Sequence, residues 1–81
     1  DRLPPESLDT IVLRAVRAAR DTVARTPETR LTVHLSSAAA GHWTASHLAP
    51  AIAELEAGTG IAPVIAAHED WPDARVEIGT D

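Results

Sequence analysis

The chain has no cysteine, methionine, phenylalanine, tyrosine or lysine, and its aromatic residues are two tryptophans, Trp43 and Trp71. Without cysteine there are no disulfides, thiolate metal ligands or cysteine nucleophile, which fits a reducing, cytoplasmic compartment. No apolar run approaches the ~18 residues that a membrane span needs, and no signal-peptide pattern opens the chain. The expected partners therefore exclude a membrane span. Without Phe, Tyr or Met, an apolar content of 44% must be built from Val, Leu, Ile, 16 alanines and the two tryptophans. Such a core is thin, its elements must approach closely, and a partner or neighbouring segment is expected to complete it.

Eighty-one residues make one domain, and a chain this short buries only ~60–65% of its unfolded surface. The first residue is Asp, so the reading is of one domain, 1–81, excised from something longer. The net charge of −5 is unevenly placed. Residues 1–30 hold six Arg against five acids, whereas residues 31–81 hold one Arg against seven. An acidic C-terminal half argues against a nucleic-acid partner, which would require a basic footprint.

Leu3-Pro4-Pro5-Glu6 reads as a helix start, with Pro5 in the first turn and Leu3 and Leu8 at staple spacing. The helix is expected to run to about Thr26, with Leu8, Val12, Ala15, Ala19 and Val23 as its apolar stripe. Arg14, Arg17, Asp21 and Arg25 fall on the opposite face, and Pro27 closes the element. Arg30–Ser36 alternates as a half-buried strand, with Leu31, Val33 and Leu35 inward. A short turn of helix follows Ser36 or Ser37. A second helix spans Ser46–Ala57, with Pro50 in its first turn and Gly58-Thr59-Gly60 as its stop. Ile61–His68 reads as a strand buried on both faces, and Ala74–Gly79 as a half-buried strand. These last two strands are expected to form an antiparallel hairpin around the turn Glu69–Asp73. The fold class is α/β (α+β), in the order helix, strand, helix, strand, strand.

Side chains capable of chemistry are few. His42 and His47 lie five apart, which does not put them on one helical face. A His-plus-carboxylate metal site could be assembled from His34, His68 and Asp70 if the first two strands are neighbours. No zinc-ligand spacing is present, so the expectation is surface or hydrogen-bonded histidines, with no catalytic residue, cofactor or metal. Ser36, Ser37 and Ser46 lack a nucleophile motif and are read as caps. Gly58-Thr59-Gly60 ends a helix and cannot cradle phosphate as a loop opening one would. Arg14, Arg17, Arg25 and Trp71 are the candidate protein contacts, since a basic helix face can dock a partner and tryptophan is enriched in interface hot spots. Trp43 is assigned to packing.

Three parts of the chain follow one another as in the C-terminal domain of rotary-type ATPase peripheral-stalk proteins. That group includes the flagellar export ATPase regulator, the type III secretion stator and the V-type ATPase E subunit. The first part is an amphipathic helix leading into Arg30-Leu31-Thr32-Val33-His34-Leu35. The second is a helix before an apolar strand ending in an acid, and the third is Trp71-Pro72-Asp73-Ala74-Arg75-Val76-Glu77-Ile78-Gly79. The chain resembles that family over roughly residues 8–79. It departs in the longer stretch Ser36–Thr44 and in stopping where the family continues into a further helix. The resemblance implies a non-catalytic stator module, often dimeric, that docks on an ATPase subunit. An adaptor or regulatory domain of a larger signalling protein and a histidine-dependent metalloenzyme are the competing readings.

Overall fold

The computed structural model describes residues 7–25 and 30–80. Helix α1 (Leu8–Arg25) is followed by strand β1 (Thr32–Ser36), helix α2 (Ser37–His42), a 3-10 turn (Ser46–Leu48), helix α3 (Ala49–Thr59), and strands β2 (Val64–His68) and β3 (Glu77–Gly79). Helices and one small sheet form the α+β arrangement that the sequence implies.

The α1 stripe holds. Ile11, Val12, Ala15, Val16 and Ala19 are buried at the i, i+4 and i+7 spacing of one helical face. At its start Ser7 Oγ accepts from the Thr10 N–H at 3.2 Å, and the Ile11 N–H reaches the Ser7 carbonyl at 3.0 Å. The first satisfies one orphan donor of the first turn, and the second is the first bond within the helix. The Leu3–Glu6 start and Pro27 lie outside the described residues.

Ser36 carries the next junction. It ends β1, is 2% exposed, and its Oγ accepts from the Ala39 N–H at 3.1 Å as the α2 cap. In α3, Pro50 sits in the first turn, and Gly60 ends the helix at φ 70°, a left-handed conformation that favours glycine. Leu48 and Leu55 are buried, and Ile52 packs beside them.

The sheet corrects two expectations. Its order is β2-β1-β3, with β1 parallel to β2 and antiparallel to β3. The last two strands are not a hairpin, because β1 separates them. The segment between them, residues 69–76, exceeds the two to five residues usual in hairpin loops, and two strand spacings of about 4.8 Å each lie within its reach. Nor is β2 buried on both faces. It is an edge strand with Val64 at 64% exposure, and Pro63 stands just before it, where a missing N–H costs no ladder bond.

Leu31, Val33 and Leu35 are at most 1% exposed and share one cluster with the α1 stripe, Ala39, Trp43, Leu48 and Leu55. Each fully buried Ile, Leu or Val contributes roughly 1.5–3 kcal/mol relative to an exposed one. Trp43 fills the end of this cluster, as its assignment to packing anticipates. Alternation puts Thr32 and His34, with their register partners Val64, Ala66, Glu77 and Gly79, on the other sheet face. None of these six residues joins the cluster.

Candidate functional site

Among the described residues, three groups of side chains stand out as candidates. The first lies on the sheet face opposite the core. Parallel pairing sets Ser36 opposite His68 and His34 opposite Ala66, which brings His34 Nδ1 to 2.9 Å from His68 Nε2. One ring donates and the other accepts, so the pair shares one proton. Trp71 stacks on His68 at 4.1 Å between centroids and an 11° interplanar angle. The Arg75 guanidinium lies 4.1 Å from the Trp71 ring centre and donates to Glu77 Oε2 from Nε at 2.8 Å and Nη2 at 2.6 Å. Gly79 leaves room for this stack, since a Cβ there would lie 3.3 Å from His34 Nε2.

The condition for that site, that β1 and β2 be neighbours, is met, but the metal set His34, His68 and Asp70 does not form. Among the described residues, donor atoms converge in a group of three only at Asp9, His42 and His47. Asp70 is exposed in the turn after β2. The histidine pair is held by its own hydrogen bond and by Trp71, an arrangement with structural value and no third ligand.

Asp9, His42 and His47 form the second group. Asp9 stands in the first turn of α1, His42 at the end of α2 and His47 in the 3-10 turn. Asp9 Oδ1 accepts from His42 Nε2, and from His47 Nε2 at 2.8 Å. The two imidazoles meet edge to face with centroids 5.6 Å apart. The hydrogen bond from His42, and then that from His47, holds the Asp9 carboxyl below the usual carboxylate range. On a single helix the five-residue interval does not bring the two rings to one face. The interval instead crosses the break Trp43-Thr44-Ala45 between two helical pieces, and the reversal folds His47 back toward His42. Asp9 reads in sequence as an acid suited to a helix N-terminus, with nothing to mark it as their common partner.

The third group lies on the outer face of α1. Leu13 is 42% exposed and lines a shallow groove with Thr10, Arg14 and Arg17. A second hollow continues along the same face past Arg17 and Arg20 to Ala51 of α3. Leu13, Arg17 and Arg20 follow i, i+4, i+7 spacing, and Arg14 borders them. Arg14 also donates through Nη2 to the Ala74 carbonyl at 2.5 Å, tying α1 to the turn that leads into β3.

Of the four expected protein contacts, Arg14 and Arg17 thus sit together on this face. Arg25 lies two turns beyond Arg17, at about 12 Å by the helical rise, and Trp71 belongs to the sheet-face stack. Leu13 and Arg20 complete the groove and are absent from the expected set. Their signal in the sequence is an apolar residue lying off the buried stripe, flanked by arginines at one-turn intervals. Comparison of the chain with protein-family models and with curated proteins finds no match.

Proposed function

We propose that the chain is a non-catalytic protein-binding domain whose α1 face, Leu13 with Arg14, Arg17 and Arg20, docks an acidic segment carrying an apolar anchor. The observation that carries this reading is the exposure of Leu13 at 42% inside a groove lined by arginines, on a chain whose net charge is −5. Arg17 and Arg20 are like charges three apart on one helix. Such a pair costs an isolated helix a few tenths of a kcal/mol (~0.2–0.5). An acidic partner relieves that repulsion and covers Leu13 together, so charge complementarity and apolar burial select the same occupant.

The resemblance to peripheral-stalk domains supplies a particular partner, the N-terminal part of a rotary-type or export ATPase subunit. The order of elements, common to that group and to this chain, supports it. In this reading the domain restrains the ATPase and performs no chemistry. The test is fluorescence anisotropy of the labelled domain against a purified ATPase catalytic subunit and against a synthetic acidic amphipathic helix, across a salt series. Binding is expected to weaken as salt shortens the screening length from ~10 Å at 0.1 M to ~3 Å at 1 M. The double variant R17E/R20E is expected to slow association by about tenfold or more, the lower scale of electrostatic steering. Binding of the peptide but not the ATPase subunit removes the stator reading and retains the docking face. Binding of neither, or binding indifferent to salt and charge reversal, removes both.

A further inference from the structure

We infer that Asp9, His42 and His47 form a binding site for one divalent transition-metal ion of the zinc class, separate from the α1 docking groove. The donor set is two imidazole nitrogens and one carboxylate oxygen, the nitrogen and oxygen ligands that zinc accepts in sites with three protein ligands and an open fourth position. All three donor atoms lie within 4.8 Å of one another. Tetrahedral zinc with bonds of about 2.0–2.1 Å needs its ligand atoms roughly 3.3 Å apart. The observed 2.8 Å between His47 Nε2 and Asp9 Oδ1 is shorter than that spacing, so the hydrogen-bonded triad opens to admit the ion.

The ligands are also matched in chemistry. Both rings present the same atom, Nε2, to the same carboxylate oxygen. Because Oδ1 only accepts, each Nε2 carries a proton in the metal-free protein. Metal binding transfers the Nε2 lone pair to the ion. A neutral ring keeps its proton by moving it to Nδ1, and an imidazolium releases one proton to solvent. The negative carboxylate stays bound and offsets one of the two positive charges of the ion.

Burial allows entry without a channel. His42 is 26% exposed, Asp9 47% and His47 56%, so the fourth coordination position opens to water or to a donor from a partner. The ligands come from α1, α2 and the 3-10 turn, separated by 33 residues between Asp9 and His42 and 38 between Asp9 and His47. Binding therefore cross-links the start of α1 to the turn between α2 and α3. A site of this kind stabilises the fold by mass action.

The experiment uses the chain as it stands, titrated with zinc by calorimetry and with cobalt(II) by visible absorption, alongside thermal melts. One equivalent is expected to bind, the cobalt complex is expected to show ligand-field bands of a nitrogen–oxygen site, and Tm is expected to rise with zinc. His47→Ala and Asp9→Asn each remove a ligand and are expected to weaken binding beyond the ~10–100-fold that loss of an outer-shell partner costs. His47 is exposed, so its variant folds, and a circular dichroism spectrum unchanged from the parent verifies this. The control H34A/H68A, which removes the other histidine pair, is expected to leave affinity unchanged. Absence of zinc and cobalt binding up to millimolar metal overturns the inference. So does binding that survives His47→Ala and Asp9→Asn, or that disappears in H34A/H68A instead.

Discussion

Replacing Leu35 with alanine tests the nature of this core more sharply than any surface change. Leu35 is fully buried in the central strand β1, within the cluster that includes Ala15, Ala19 and Ala39. Leucine-to-alanine changes in cores cost about 2–5 kcal/mol, the spread reflecting how far the surroundings collapse into the void. Collapse is poor here. The alanines of this cluster have nothing to extend into a cavity, and the chain has no methionine to fill an irregular gap. The expected cost is therefore in the upper part of that range, about 3–5 kcal/mol. An 81-residue domain has a total stability of only about 4–12 kcal/mol at 0.05–0.15 kcal/mol per residue. Loss on this scale lowers the urea midpoint by more than about 1 M for a slope of 1–3 kcal/mol/M. Urea titration followed by tryptophan emission measures it, with Trp43 reporting the core and Trp71 the far face of the sheet. A cost under about 1.5 kcal/mol would mean that the core relaxes as readily as a loosely packed one.

Ser36→Ala removes a buried cap and leaves the Ala39 N–H without that acceptor, so it should cost about 1–2 kcal/mol in chemical denaturation. A loss below a few tenths would show that the junction between β1 and α2 does not depend on it. A double-mutant cycle over Trp71→Ala and Arg75→Ala should return a coupling of about 0.5–1 kcal/mol, the scale of an exposed cation–π contact. Zero coupling would remove that contact. In the metal-free protein, the carboxyl carbon of Asp9, followed by NMR, should titrate below the usual carboxylate range. The double variant H42A/H47A should return it to that range. Since its folded value is depressed, Asp9 contributes stability that is present above the unfolded value and lost as pH falls through the folded one. An Asp9 midpoint at the ordinary value in the parent protein would contradict the hydrogen bonds from His42 and His47.

Local signals in the sequence carried the elements, and long-range ones carried the sites. The α1 stripe, the β1 alternation, Pro50 in the first turn of α3 and the Gly60 stop each depend on residues within a turn or two of one another, so they can be read in order. The placement of β3 depends instead on a choice between two edges of β1, and the length of residues 69–76 is the only local trace of it. Exposure of Val64 follows from the same choice, because a strand left at an edge keeps one side open. The histidines divide likewise. Adjacency of β1 and β2 brings His34 to His68, as a paired-strand reading allows, but Asp70 falls in the turn beyond reach. His42 and His47 meet because two helical pieces break between them, and Asp9 joins them from 33 residues away. Of the arginines expected to contact protein, Arg14 and Arg17 share a face by helical spacing, whereas Arg25 is two turns further on and Trp71 is bound into the sheet-face stack.

The proposed docking requires that the α1 face, and not the sheet face, receives the partner. Chemical-shift mapping of the 15N-labelled domain during titration with the acidic amphipathic helix tests it most directly. The largest changes are expected on Leu13, Arg14, Arg17 and Arg20, and they are expected to vanish in R17E/R20E. Changes centred on Trp71, His68 and His34 would contradict it and move the binding surface to the other side of the sheet.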